Sequence, residues 1–156
     1  MRYKAHWGSH IPMLVKAFEA SEGPVLELGM GVFSTPLLHW LCLDAGRTLV
    51  SYDNDPTYFE MNRTFDSPDH HIHFADNWDT IDIDRHWGLV FVDHHPSQRR
   101  GTDARRLADK CDIMVLHDTN ESEKHDYDAV YPLFEYRYDW KRAKPYTTVL
   151  SKVKFP

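Results

Sequence analysis

Two glycines follow a short apolar run and an acid, and because they lack side chains, their backbone atoms are accessible to a ligand. The segment 24–36 reads PVLELGMGVFSTP, with Glu27 ahead of a turn at Gly29 and Gly31. The residues after the turn are typical of a helix start. A strand, a tight glycine turn and a helix N-terminus in this order let the backbone approach a nucleotide-like ligand closely. The segment therefore predicts a site for a nucleoside cofactor.

An acidic residue closes each of five predicted strands. These acids are Glu27, Asp53, Asp76, Asp93 and Asp118. Ligands of open α/β sheets bind beyond the carboxyl ends of the strands, where the strand order switches. One acid in such a place is ordinary turn chemistry. Five in register favour a polar site along one edge of the sheet.

The ends of the fourth and fifth strands also carry residue types that bind metals or move protons. The segment 92–96 reads VDHHP, and 116–120 reads LHDTN. Asp93 follows four apolar residues, so a desolvated carboxylate there needs a partner. The imidazole of His95 can exchange a proton near neutral pH. A structural alternative stays open for Asp118, which could cap the segment that follows.

Strands alternate with helices along the chain. Periodicity and capping predict helices over His10–Ala20, Ser34–Ala45, Thr57–Thr64, Thr102–Asp109 and Tyr127–Phe134. Apolar or alternating runs predict strands over Val25–Leu28, Arg47–Tyr52, His71–Ala75, Trp87–Val92, Asp112–Leu116, Phe134–Trp140 and Tyr146–Phe155. Five strands separated by helices imply a parallel sheet with right-handed crossovers. The last two strands form a hairpin that adds an antiparallel strand at the edge of the sheet.

Composition limits the classes of function. The chain has 156 residues, a net charge of −6 and 27% charged residues, which is typical of one soluble domain over residues 1–156. Arginines gather at Arg99, Arg100, Arg105 and Arg106. The cluster indicates a solvated helix face or, alternatively, a surface that attracts an anionic substrate. Because acids surround it, no nucleic-acid partner is expected.

Cysteine usage and hydropathy bear on the compartment. Cys42 and Cys111 stand in apolar surroundings without a disulfide framework, which favours a reducing setting. The N-terminal residues lack the apolar run of a signal peptide. No apolar run reaches the ~18 residues that cross a bilayer. We therefore expect a cytoplasmic protein with no membrane contact, and a homo-oligomer stays open.

The glycine segment departs from a dinucleotide-binding pattern. Gly29 and Gly31 lack the third glycine of G-x-G-x-x-G. Glu27 would repel a pyrophosphate, whereas it suits a cationic amino group. NAD is therefore disfavoured as the cofactor.

Residues 27–31, with Ser34 and Thr35, resemble motif I of class I S-adenosylmethionine (SAM)-dependent methyltransferases. The resemblance covers roughly residues 20–156 and implies that family's α/β fold, a Rossmann-like, doubly wound, mostly parallel seven-stranded sheet with a C-terminal antiparallel hairpin. It implies that the glycine backbone meets the methionine part of SAM. By the same resemblance, Glu27 lies near the ammonium group of the cofactor.

The resemblance also implies the contacts of the nucleoside. Asp53 would bind both ribose hydroxyls, as an acid at the end of the second strand does for nucleosides. Asp76 would accept a hydrogen bond from the adenine amine. Asn77 and Trp78 would line the adenine ring. A turn role for Asp53, loop chemistry for Asp76 and a packing role for Trp78 are the alternatives.

The later strand ends resemble those of small-molecule and sugar O-methyltransferases with a V-D-x-H and H-D-T motif pair. In metal-dependent members, carboxylates at these two positions hold a divalent cation that lowers the pKa of the acceptor hydroxyl. The resemblance thus implies a magnesium or manganese ion on Asp93 and Asp118, with His117 or Asn120 as further ligands. Thr119 departs from the catechol-type pattern, because it separates Asp118 from Asn120.

Methyl transfer from a sulfonium requires the protein to position two reactants and to remove a proton. The resemblance implies His95 as the general base, beside Asp93 and Asp118 as catalytic residues, with Asp93 also contacting the cofactor. The implied function is O-methylation of a small-molecule or carbohydrate hydroxyl. Two alternatives stay open: a non-catalytic SAM-binding module, and an enzyme that uses SAM for another reaction.

Overall fold

A computed structural model describes residues 4–154 of the chain. Its sheet has seven strands in the order β3-β2-β1-β4-β5-β7-β6. The strands are β1 (Val25–Leu28), β2 (Leu49–Asp53), β3 (His70–Phe74), β4 (Trp87–Val92), β5 (Cys111–His117), β6 (Tyr136–Trp140) and β7 (Thr147–Ser151). The α-helices are α1 (Ile11–Glu19), α2 (Ser34–Ala45), α3 (Pro56–Asn62), α4 (Arg100–Leu107) and α5 (Ser122–His125).

The two central strands, β1 and β4, are buried along their whole length. This is expected of parallel strands whose two faces are both covered. β1 pairs in parallel with β2 on one side and with β4 on the other. The strand order therefore reverses between β1 and β4, and a crevice at their carboxyl ends is the place where such sheets bind ligands.

Side chains of the sheet point alternately into two apolar layers. Along β4, Val90 and Val92 belong to the layer that contains Leu107 of α4. Leu89 and Phe91 belong to the opposite layer, which contains apolar residues of α1 and α2. Helices thus cover both faces of the sheet, and this arrangement leaves the strand ends to form a site.

The predicted fold class is confirmed. The sheet is mostly parallel, and antiparallel pairing is confined to its C-terminal side. The antiparallel strand was expected at the edge, but β7 inserts between β5 and β6, so that β6 is the edge strand. The connection between β3 and β4, residues 75–86, consists of turns and bends rather than a helix.

The predicted helix over Tyr127–Phe134 is wrong. The structure has only a short 3-10 turn over Tyr131–Leu133 in that segment. Pro132 lacks the amide hydrogen that would extend a helix. Tyr127 and Val130 are instead buried in the core of the α4 side. The segment therefore follows the packing of two side chains rather than helical periodicity.

The other predicted elements are present with small shifts at their ends. The predicted strand Tyr146–Phe155 is shorter, since β7 ends at Ser151, and Phe155 lies outside the described residues. No helix between residues 4 and 154 combines the length and the apolar content that crossing a membrane requires.

Candidate functional site

A cavity of about 340 Å³ lies at the carboxyl ends of β1, β2, β4 and β5. Because these strands stand in the order β2-β1-β4-β5, the cavity extends over three strand spacings, about 14 Å. Its volume is in the range of small-molecule and cofactor sites. The lining residues are His6, Trp7, His10, Met30, Gly31, Val32, Phe33, Ser34, Asp53, Asp55, Tyr58, Asp93, His94, His95, Arg100, His117, Asp118 and Pro145.

Gly29 brings the loop after β1 into contact with the loop after β4. Its φ is +95°, and a Cβ atom there would lie 2.5 Å from both the carbonyl carbon of Asp93 and the amide nitrogen of His94. Glycine alone combines this φ with so close an approach of two backbones. Gly29 is not part of the cavity wall, whereas Gly31 is. The first glycine thus holds two loops together at the reversal of strand order.

Glu27 is fully buried and supports the glycine turn instead of lining the cavity. The Thr35 hydroxyl donates to Oε1 of Glu27 at 3.0 Å and accepts a hydrogen bond from the amide of Gly31 at 2.9 Å. The Ser51 hydroxyl donates to Oε2 at 2.6 Å. Burial raises the pKa of Glu27 to about 7 against these hydrogen bonds. The contact predicted between Glu27 and the ammonium group of a cofactor stays a prediction.

Asp53 lies on the cavity wall at the end of β2. Its Oδ2 accepts a hydrogen bond from the amide of Met30 at 2.7 Å, and its Oδ1 accepts one from the amide of Asp55 at 2.7 Å. Burial raises the pKa of Asp53 to about 6. Each carboxylate oxygen has a second lone pair. The side chain is therefore fixed in orientation and can still accept hydrogen bonds from a ligand.

Arg100 joins the carboxylates that follow β4 and β5. Its side chain is 3% exposed, with Nη2 at 3.0 Å from Oδ1 of Asp93 and Nη1 at 2.7 Å from Oδ2 of Asp118. Its Nε donates to the carbonyl oxygen of His94 at 2.7 Å. The partner that the sequence required for Asp93 is thus a guanidinium, which matches two carboxylates geometrically.

A magnesium or manganese ion was predicted between Asp93 and Asp118. The guanidinium of Arg100 contacts both carboxylates where that ion would have to bind. Its positive charge already neutralises them and would repel a divalent cation held by both. These two residues therefore do not fit the predicted ion.

His117, the last residue of β5, makes the second contact with Asp93. Its Nδ1 lies 3.1 Å from Oδ2 of Asp93, and its Nε2 lies 3.1 Å from Oγ of Ser9. Ser9 gives its own hydrogen to the carbonyl oxygen of Pro145. Both ring nitrogens therefore face acceptors, as in a protonated imidazole. Burial lowers the pKa of His117, but the nearby carboxylates outweigh burial and raise it.

Asp93 stays ionised in these surroundings. Desolvation opposes the charge, but the positive charges of His117 and Arg100 hold the pKa of Asp93 below its usual range. The carboxylate divides its oxygens between the two cations, Oδ1 to Arg100 and Oδ2 to His117. Asp93 is therefore a fixed anion at the centre of the site and a weak proton acceptor.

His10 stands just before α1 with both ring nitrogens buried and without a hydrogen-bond partner. Its ring contacts Phe91, with centroids 4.9 Å apart, and His117, with centroids 4.8 Å apart. Burial and the charge on His117 lower the pKa of His10 to about 4, so the ring is neutral. Sequence reasoning missed this residue, because a histidine at the start of an apolar helix carries no signal by itself.

Of the remaining predicted residues, one lies on the cavity wall and the others lie behind it or outside it. His95 is exposed on the wall, and Trp78 donates from Nε1 to the His95 carbonyl oxygen at 2.8 Å. Trp78 also packs against the ring of His94 at 4.3 Å. Asp76 and Asn77 are exposed and lie outside the wall. The adenine contacts predicted for Asp76, Asn77 and Trp78 thus stay predictions.

The predicted arginine cluster is paired with aspartates. Arg99, Arg105 and Arg106 each form an ion pair with at least one aspartate. Arg100 differs from these three, because it is buried in the site. Its signal in the sequence was indirect: Asp93 required a partner, and Arg100 follows it by seven residues.

Known proteins resemble this chain in fold. The sequence matches no protein-family model and no curated protein. An O-methyltransferase from Bacillus cereus, solved in complex with SAH, has a TM-score of 0.65 at 13% identity, over 97% of this chain and 83% of its own. The O-methyltransferase TomG from Streptomyces achromogenes is involved in tomaymycin synthesis and was solved with SAM. It has a TM-score of 0.66 at 13% identity, over 97% of this chain and 82% of its own.

A third solved structure gives the same result. An SAH-bound methyltransferase from Podospora anserina has a TM-score of 0.69 at 10% identity, over 98% of this chain and 80% of its own. These likenesses confirm the Rossmann-like fold that the sequence predicted. At such identities they bear on the fold alone.

Replacing Arg100 by methionine should destabilise the protein by about 3 kcal/mol, because two partly buried carboxylates lose their shared counterion. The control is Arg105→Met, which removes the more exposed pair with Asp126 and should cost less than about 1 kcal/mol. Urea unfolding gives both free energies. Equal losses would contradict the central role of Arg100.

Replacing Glu27 by glutamine should change how stability depends on pH. The pKa of Glu27 rises from an ordinary 4.5 to about 7 in the fold, so the folded chain binds more protons between these values. The parent therefore loses stability as pH rises through this window, by up to about 3 kcal/mol. Glutamine cannot ionise, so the variant should lack that loss.

The measurement for Glu27→Gln is urea unfolding at several values between about pH 5 and 8. Glu19→Gln, at an exposed position of α1, is the control and should follow the curve of the parent. Parallel curves for the parent and Glu27→Gln would show that Glu27 is ionised throughout.

Proposed function

We propose that this chain is a SAM-dependent methyltransferase that methylates a hydroxyl group of a small molecule or a carbohydrate. The observation that carries the proposal is one cavity at the reversal of strand order that unites a glycine turn, Asp53 and the group around Asp93. The likeness in fold to methyltransferases solved with SAM or SAH supports it.

The residues on the wall fit the cofactor. Gly31 presents backbone beside Ser34 at the start of α2, which suits the methionine part. Asp53 keeps lone pairs for the ribose hydroxyls. The wall has four aspartates against one arginine, and this balance favours a ligand of net positive charge. When bound, SAM supplies an electrophilic methyl group on its sulfonium.

His95 is the residue best placed to take the proton of the acceptor hydroxyl. Asp93 is held as an anion of low pKa, Nδ1 of His117 is occupied by its contact with that carboxylate, and the pKa of His10 is about 4. None of these three is an efficient acceptor at neutral pH. His95 is exposed, so a proton taken on its imidazole can pass to water.

The end of the cavity beside β5 orients the acceptor. Arg100 fixes the carboxylate of Asp118, which can accept a hydrogen bond from a hydroxyl group of the substrate. Trp7 and Phe33 give the wall aromatic surface, which suits a sugar ring or an aromatic ring. The excess of carboxylates disfavours an anionic acceptor. A neutral polyol or phenol is the class that these residues match best.

Replacing Asp53 by asparagine should weaken binding of S-adenosylhomocysteine at least tenfold, because hydrogen bonds to a charged carboxylate are lost. Isothermal titration calorimetry measures the dissociation constant, and Asp109→Asn, at an exposed position two residues after α4, is the matched control. If the parent binds no S-adenosylhomocysteine, the proposed function fails. An unchanged constant in Asp53→Asn would refute the ribose contact alone.

Replacing His95 by glutamine should lower kcat/KM by about 10²-fold, because the general base is lost. Formation of S-adenosylhomocysteine is followed with a panel of phenols, catechols and monosaccharides, and His71→Gln on exposed β3 is the control. Binding of S-adenosylhomocysteine should stay unchanged in both variants. Full turnover in His95→Gln would exclude its role as base, and binding without turnover of any acceptor would favour the non-catalytic module.

A further inference from the structure

We infer that His10, Asp93 and His117 form a binding site for a divalent transition-metal ion, separate from the Asp93–Asp118 pair. One ligand atom from each of the three residues lies within 4.8 Å of the other two. The donors are two imidazole nitrogens and one carboxylate oxygen. A small contraction brings such atoms to the ~2.0–2.2 Å bonds that metal ions form with these donors.

The unpartnered nitrogens of His10 are an independent observation that points to a ligand. The side chain is 2% exposed, and neither Nδ1 nor Nε2 has a hydrogen-bond partner. A buried polar group without a partner costs free energy that an apolar residue would avoid. If one nitrogen of His10 coordinates an ion, that nitrogen gains the partner that it lacks.

The oxygen of Asp93 that faces the histidines is free of the guanidinium. Nη2 of Arg100 forms an ion pair with Oδ1 and donates to the carbonyl oxygen of Asp93, both at 3.0 Å, whereas Oδ2 lies 3.1 Å from Nδ1 of His117. An ion can therefore take the position of the hydrogen between Asp93 and His117 while the Arg100 pair stays intact. The charge of Arg100 limits the affinity without occupying the site.

His117 also has the second contact that orients metal-binding imidazoles. Its Nε2 faces the hydroxyl of Ser9 at 3.1 Å, and Ser9 is anchored on the carbonyl oxygen of Pro145 at 2.7 Å. A hydrogen bond at the outer nitrogen fixes the ring and directs the lone pair of the other nitrogen to the ion. Nδ1, which faces Asp93, is therefore the ligating atom.

The donor set selects the class of ion. Two imidazoles and one carboxylate favour iron(II), cobalt(II), nickel(II) or zinc over magnesium, which prefers oxygen ligands. Three protein ligands leave coordination positions open, and all three residues line the cavity. A substrate hydroxyl could take an open position, and this last consequence alone rests on the proposed methyl transfer.

The test is titration of the metal-free full-length protein with Co²⁺, followed by visible absorbance, and with Zn²⁺, followed by calorimetry. We expect one equivalent to bind, and a large excess of Mg²⁺ should not displace it. Affinity should fall at least tenfold in His10→Leu and in His117→Gln. His71→Gln, which alters an exposed histidine of β3, should bind as the parent does.

Stability separates loss of a ligand from loss of the fold. His10→Leu removes two unbonded buried nitrogens, so its melting temperature without metal should equal or exceed that of the parent. Zn²⁺ should raise the melting temperature of the parent and not that of His10→Leu. If His10→Leu fails to fold, His10→Gln replaces it in the same titrations.

Two results would overturn the site: a parent that binds no equivalent of Co²⁺ or Zn²⁺, or His10 and His117 variants that bind as the parent does. Binding of S-adenosylhomocysteine is measured on the same preparations without metal. Failure of that binding beside an intact cobalt signal would reject the proposed function and keep the metal site. The opposite pattern would reject the metal site alone.

Discussion

The ion pairs of Arg100 with Asp93 and Asp118 are the interaction on which the rest of the site depends. Two carboxylates at neighbouring strand ends repel each other, and a buried guanidinium makes their proximity favourable. Because Asp93 is then fixed, its second oxygen lies against His117 and raises the pKa of that imidazole. His10 packs against the same ring with both of its own nitrogens unbonded.

The parts that local sequence determines could be predicted. β1, α2 and β4 begin and end where periodicity and turn residues placed them, since buried parallel strands and a glycine turn leave a clear pattern. The convergence of Asp53, Asp93 and Asp118 on one cavity also followed, because the carboxyl ends of parallel strands share one edge.

The parts that tertiary contacts determine could not be predicted. Arg100 looked like a member of a solvated face, and only the approach of α4 to the strand ends buries it. Glu27 and Trp78 also support the loops that line the cavity, through Thr35 and the His95 carbonyl oxygen, and the ligand contacts predicted for them stay predictions. Residue type and spacing alone do not distinguish a side chain on the cavity wall from one that supports it.

The backbone contact at Gly29 bears on how the side chains of this cavity can change in sequence. The main chains after β1 and β4 touch without an intervening side chain, so the separation between the two halves of the crevice is set by peptide geometry. Substitutions at Trp7 or Phe33 can then change the wall of the cavity while the separation of these two loops stays constant. A side chain at position 29 would push these two loops apart, because its Cβ would lie 2.5 Å from the backbone of Asp93 and His94.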